Sequence, residues 1–257
     1  MRILAIGDVT SPKGLDHLLK NLWQKRKEYR VDFCIVNGEN ASLLTGISPD
    51  AAELLLRSGA DVITGGNHTL RNKACYTYLD EESAILRPIN FGDGAPGRGY
   101  GIYDALGYRV LVINALGNVY MDPVLDSPFS YIDRVLRDED GRFDFAVLDI
   151  HAEATGEKLA VGYAYDGRIN VVFGTHTHVP TADGRILPLG TGYISDLGMC
   201  GESGGVLGMD AAVIVEKMRT KLPKRFMPAG GEPVADGVIF TLETATGKVT
   251  EIERISF

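Results

Sequence analysis

An α/β fold of layered sheets flanked by helices is the class this 257-residue sequence predicts. Three observations point to it. Short β-branched runs alternate with helical stretches along most of the chain. Small and polar residues come after one apolar run after another, the pattern of strands that end at a shared edge. Near the C-terminus two β-rich runs flank a four-residue turn, which predicts antiparallel strands completing the architecture. With 45% hydrophobic residues and no internal repeat or linker, the chain reads as one domain spanning 1–257.

The elements run in order from the N-terminus. Arg2–Ile6 reads as a buried strand and Leu15–Glu28 as a helix. Phe33–Val36 is a second strand. Pro49–Ser58 is a sharply punctuated helix, with Ser48 as N-cap, Pro49 at the first helical position and Gly59 just past the end. Val62–Thr64 is a strand and Lys73–Leu79 a helix. Phe91–Gly101 holds five glycines and a proline and reads as a loop into the hairpin Gly101–Ala105 and Tyr108–Asn114. Helix Tyr131–Arg137, strand Phe145–Asp149, helix Glu157–Ala164 and strand Val171–Phe173 continue the alternation. A helix near Asp210–Arg219 precedes strands Val238–Glu243 and Val249–Arg254, joined by Thr244–Gly247. This βαβ order predicts a largely parallel sheet with helices on both faces and antiparallel strands at its edge.

Composition narrows the function. A net charge of −8 argues against a stable nucleic-acid complex, whose phosphate backbone calls for a broad basic surface, though not against a small phosphate ligand beside a metal. No apolar run approaches the roughly 18 residues of a membrane span. The apolar opening Met1–Ile6 stops at Gly7-Asp8, too soon for a secretion signal. Cys34, Cys75 and Cys200 form no CxxC pair and read as reduced packing residues, so a cytoplasmic location is expected.

The chemistry lies just past the strand ends. Asp8 follows the first strand, Glu39 and Asn40 the second, Asn67 and His68 the third. His151 follows Phe145–Asp149, and His176 and His178 follow Val171–Phe173. Taken singly, each has an ordinary explanation as a turn, a helix cap or a satisfied histidine. Together, at one sheet edge, they form a metal-binding constellation. His176 and His178 share a face if the chain stays extended. Asp8, Glu39, Asn40, Asn67, His151, His176 and His178 offer seven oxygen and nitrogen donors, too many for one tetrahedral zinc and suited to two divalent ions sharing a carboxylate. With no cysteine among them, iron, manganese, zinc or cobalt fits better than calcium. Two such ions against two carboxylates leave about +2 of charge, a trap for phosphate. Gly201-Glu202-Ser203-Gly204-Gly205 matches a hydrolase nucleophile pattern, but no histidine follows His178 to complete it. His17 reads as a surface residue of the first helix.

At these residues the sequence resembles the metallophosphoesterase (calcineurin-like) superfamily and, within it, the YmdB-like phosphodiesterases of bacteria. The segments that carry the resemblance are Met1–Asp8, Val36–Ser42, Gly65–Thr69, Asp149–Lys158 and Gly174–Asp183. Asp8-Val9-Thr10 replaces the superfamily's Asp-x-His and Glu39 its bridging Asp, as in the YmdB-like branch. The resemblance implies a metallophosphoesterase-like fold and two ions, iron or manganese, with zinc possible. Asp8, Glu39, Asn40 and His178 would hold one ion, and Glu39, Asn67, His151 and His176 the other. His68 would face the phosphate as acid or transition-state stabiliser while an ion-activated hydroxide attacks phosphorus, and Glu153 would orient a ligand imidazole. Small phosphodiesters, including 2′,3′- or 3′,5′-cyclic nucleotides, would be the substrates, and the chain would form homo-oligomers. The competing expectations are a phosphomonoesterase or protein phosphatase on the same site, or a metal-binding regulator without turnover.

Overall fold

The structure, a computed structural model, describes residues 1–42 and 45–257. β1 (Arg2–Ile6) and β2 (Asp8–Val9) lead into α1 (Pro12–Glu28). Ser11 caps that helix by accepting from the Gly14 N–H, so it begins a turn earlier than its apolar periodicity alone indicates. β3 (Phe33–Asn37) is followed by α2 (Pro49–Ser58), whose bounds are those its caps predict: Ser48 accepts from the Ala51 N–H, and Gly59 takes φ +114°. β4 (Val62–Thr64) precedes two short 3₁₀ turns, Thr69–Arg71 and Lys73–Cys75, and α3 (Tyr76–Glu81).

The second half begins with the hairpin β5 (Tyr100–Ala105) and β6 (Tyr108–Leu116), then α4 (Pro128–Asp138), β7 (Phe145–His151), α5 (Thr155–Ala164) and β8 (Val171–Thr175). β9 (Arg185–Ile186), β10 (Gly192–Ile194), β11 (Met199–Glu202), α6 (Ala211–Thr220), β12 (Pro233–Leu242) and β13 (Val249–Ser256) complete the chain.

The strands form two sheets, not the one largely parallel sheet expected. One runs β2-β11-β12-β1-β3-β4, with β13 also on β12; the other runs β5-β6-β7-β8-β10-β9. Within them β1-β3-β4 and β6-β7-β8-β10 are parallel. The C-terminal strands are antiparallel as expected, but β12 is interior, paired with β1 on one side and β13 on the other.

Strand alternation shows how the layers stack. Ile3, Ala5, Phe33 and Ile35 pack between the sheets against Val110, Val112, Phe145, Val147, Val171 and Phe173. Their alternates Leu4, Ile6, Cys34 and Val36 pack outward on Leu15, Leu18 and Leu22 of α1 and Ala52 and Leu55 of α2. On the other side Leu111, Ile113, Ala146, Leu148 and Val172 pack on Ile132, Val135 and Leu136 of α4 and Val161 of α5. Each sheet thus has helices on its outer face only. A strand covered by a sheet on one face and a helix on the other has the same apolar run as one covered by helices on both. The sequence pattern therefore could not separate the two arrangements.

Candidate metal centre

The carboxyl ends of both parallel sets meet over a buried polar floor. Asp149 of β7 accepts hydrogen bonds from Asn37 Nδ2 of β3 (3.0 Å), Thr64 Oγ1 of β4 (2.5 Å) and Thr175 Oγ1 of β8 (2.7 Å). Asn114 of β6 accepts from the Gly65 N–H and donates to the Gly65 carbonyl, tying the second sheet to the end of β4. All five polar side chains are inaccessible to solvent. The sequence signal that could have found them is a polar residue near the end of an otherwise apolar run.

Above this floor lie the residues singled out from sequence. His151, fully buried, closes β7 itself rather than following it. Its Nδ1 is 2.9 Å from Thr175 Oγ1, whose own hydrogen is spent on Asp149. That makes Nδ1–H the donor to Thr175 and leaves Nε2, whose proton faces Glu39, as the nitrogen a cation would displace that proton from. His151 Nε2 faces Glu39 Oε2 at 3.2 Å, Asn67 Oδ1 at 3.2 Å and His176 Nδ1 at 3.1 Å. Asp8 Oδ1 lies 3.7 Å from His151 Nδ1 and 3.9 Å from His178 Nε2, while its Oδ2 accepts from the His176 N–H. Glu39 Oε2 also accepts from the His68 N–H, and its Oε1 from Asn40 Nδ2 at 2.6 Å.

Asn40 joins the cluster through Glu39 and His68: its Oδ1 is 2.9 Å from His68 Nδ1. His176 Nε2 points to Glu153 Oε2 at 3.3 Å, so the carboxylate expected to orient an imidazole sits against His176. His176 and His178 do not reach the site on an extended strand. Both take left-handed backbone, φ +99° and +61°, so a bend rather than a pleat aims them inward. His17 lies apart, its Nε2 against the Phe257 carbonyl. Asn67 also donates to the Asp122 carbonyl at 3.2 Å, which brings the loop carrying the exposed Tyr120 to the rim.

The electrostatics reflect burial. Burial pushes the Asp8 carboxyl up to about 6, against the pull of His151 and His178. Burial also opposes charge on Glu39, but the charge and hydrogen bond of His151, with His68, outweigh it and hold Glu39 well below the usual range. His151 loses to burial and gains more from Glu39, rising to about 9. His176, pressed by burial and then by His151, falls to about 3. Burial also lowers His68.

The donors fit divalent cations. Glu39, His151 and His176 form one group, and Asp8, Glu39 and His178 a second, each with its donor atoms within 4.8 Å of one another and Glu39 common to both. Asp8 Oδ1 and His178 Nδ1 are buried without a hydrogen-bond partner. A Cβ at Gly66 would collide with Glu39 Oε2 and His151 Nε2, so this glycine keeps the space between the donors open.

A two-sheet α/β sandwich with this cluster on its carboxyl edge defines a phosphoester hydrolase of the metallophosphoesterase type. The YmdB-like protein family model matches residues 4–255, and the chain belongs to that family. It is 43% identical over 255 residues to the 2′,3′-cyclic-nucleotide 2′-phosphodiesterase of Bacillus subtilis (strain 168), covering 99% of this chain and 96% of that protein. A crystal structure of a hypothetical protein from Thermus thermophilus superposes with TM-score 0.92 at 35% identity, over 100% of this chain and 99% of the other. A crystal structure titled as a novel phosphatase from Mycoplasma pneumoniae gives TM-score 0.92 at 31% identity, over 100% and 93%.

Proposed function

We propose that this chain is a metal-dependent phosphodiesterase acting on small phosphodiesters, with 2′,3′-cyclic nucleotides as the preferred class and 3′,5′-cyclic nucleotides second. The observation that carries the reading is the pair of donor groups sharing Glu39. The Bacillus relative's named activity supports the 2′,3′ class. Asp8, Glu39, Asn40 and His178 hold one cation; Glu39, Asn67, His151 and His176 hold the other. Bound there, two iron or manganese ions, with zinc as the alternative, supply charge for the phosphate oxygens and acidify a water.

The chain's own residues set the geometry. Thr175 fixes the His151 tautomer so that Nε2 faces inward. Glu153 takes the Nε2 side of His176, leaving its Nδ1 toward the centre. Asn40 Oδ1 accepts from His68 Nδ1–H, so the second proton of the His68 imidazolium sits on Nε2, and it is this proton that passes to the departing alkoxide oxygen, leaving the neutral ring that burial favours. Asn67 spans the centre and the Asp122 loop, holding His68 beside it in sequence and space.

Three free buried thiols support a reducing compartment, the cytoplasm. Among the described residues no helix is long and apolar enough to cross a membrane. Self-association belongs to the same reading: α6 buries none of its residues, and Val215, Met218, Leu222, Phe226 and Met227 are exposed on it and the segment after it.

The test pairs elemental analysis of tag-free protein with hydrolysis of 2′,3′-cyclic AMP, 3′,5′-cyclic AMP, bis-p-nitrophenyl phosphate and p-nitrophenyl phosphate. About two metals per chain, with diester turnover abolished by chelation, is the expected result. Preference for the monoester would make the chain a phosphomonoesterase. Absence of metal and of turnover after Mn²⁺ or Fe²⁺ addition would refute the proposal.

A further inference from the structure

Lys158 on α5 is fully buried, an uncommon place for a lysine. Its Nζ lies 2.8 Å from Asp196 Oδ2, itself 1% exposed. That same oxygen accepts the Thr177 N–H at 3.0 Å and the Thr177 hydroxyl at 2.8 Å, while Oδ1 accepts the Gly198 N–H at 3.0 Å. Thr177 is the residue between His176 and His178, both on left-handed backbone. Non-glycine residues hold such conformations only where the surroundings over-determine them. Gly174 clears the way for the lysine stem: a Cβ there would meet Lys158 Cδ at 2.7 Å.

A buried ion pair roughly breaks even against apolar residues of similar volume, so stability alone does not call for one here. What this pair supplies is a fixed, neutralised anion that holds both donors of one residue. We propose that Lys158 and Asp196 are positioning residues. Asp196, with its charge balanced by Lys158, clamps Thr177 and thereby aims His176 at one cation position and His178 at the other. A single clamp serves both positions, so loosening it weakens both. The inference rests on the metal reading above.

The test is Mn²⁺ titration calorimetry on the full chain, read against thermal unfolding of the metal-free form. Thr177→Val removes the hydroxyl donor and is expected to weaken Mn²⁺ binding about tenfold, while Thr177→Ser, which keeps it, stays near wild type. The double variant Lys158→Met with Asp196→Leu removes both charges, and is expected to fold but to lose at least about tenfold in affinity at both positions. A folded double variant that binds two Mn²⁺ as the wild type does would overturn the inference. Equal affinities for Thr177→Val and Thr177→Ser would overturn it as well, and decide the matter should the double variant not fold. A folded wild type that takes up no Mn²⁺ would instead bring down the metal reading, and this inference with it.

Discussion

Replacing Thr175 by valine isolates the hydrogen bond that orients His151. Valine keeps the shape and removes the hydroxyl, which donates to Asp149 Oδ1 at 2.7 Å, accepts from His151 Nδ1 at 2.9 Å and accepts from Asn37 Nδ2 at 3.3 Å. Every group involved is buried, so each lost partner goes unreplaced by water. A buried group left unsatisfied costs about 1–3 kcal/mol, and the bond to the carboxylate is the dearest, so about 3 kcal/mol in all is expected. In a chain of this size that is a fall of roughly 6–12 °C in unfolding temperature. Thr64→Val is the control. Thr64 donates to the same carboxylate at 2.5 Å but makes no hydrogen bond to the His151 ring, so roughly 2 kcal/mol should be lost with the imidazole still oriented. Calorimetric unfolding of the metal-free proteins should show both losses. Mn²⁺ titration should show a drop of about 10–100-fold for Thr175→Val alone. Equal Mn²⁺ affinities in the two variants would refute the orienting role, and an unchanged unfolding temperature for Thr175→Val would refute the buried network.

Other outcomes rest on the same geometry. On the proposed role of His68, in which Nε2 moves a proton rather than holding a cation, His68→Ala should lower kcat about 10²–10⁴-fold while elemental analysis still finds the wild-type metal content; an emptied site would make His68 a ligand. Burial opposes the His151 charge but Glu39 more than restores it, raising the group to about 9. Its stabilisation of the metal-free chain is therefore full below about pH 6.5 and is lost as pH rises through about 9. Unfolding temperature should fall across that window, and Mn²⁺ uptake near pH 7.5 should release a proton, seen as a buffer-dependent binding enthalpy; buffer-independent heats would contradict this. Burial pushes the thiols of Cys34 and Cys75 up to about 12 and about 11, and raises Cys200 as well. All three should resist Ellman's reagent until the chain is denatured, and a fast stoichiometric reaction of the native protein would count against the buried assignment.

Read alone, the chain shows its elements and the residues that converge. Caps such as Ser48 and Gly59 are local chemistry, and α2 begins and ends where they say. Asp8, Glu39, Asn40, Asn67, His68, His151, His176 and His178 lie at the ends of parallel strands or just beyond them, and parallel strands bring their carboxyl ends to one edge whatever their sequence separation. Three features waited for the tertiary structure. That β1, β3 and β4 lie in a different sheet from β6, β7 and β8 depends on what covers each face, and an apolar side chain is the same against a sheet as against a helix. The left-handed bend at His176 and His178 is held by Asp196, a partner distant in sequence. The floor of Asn37, Thr64, Asn114, Asp149 and Thr175 exists only because two sheets close over it. Local propensity and periodicity act within a few residues, whereas a buried hydrogen bond is decided by which distant groups the packed layers leave within about 3 Å of each other.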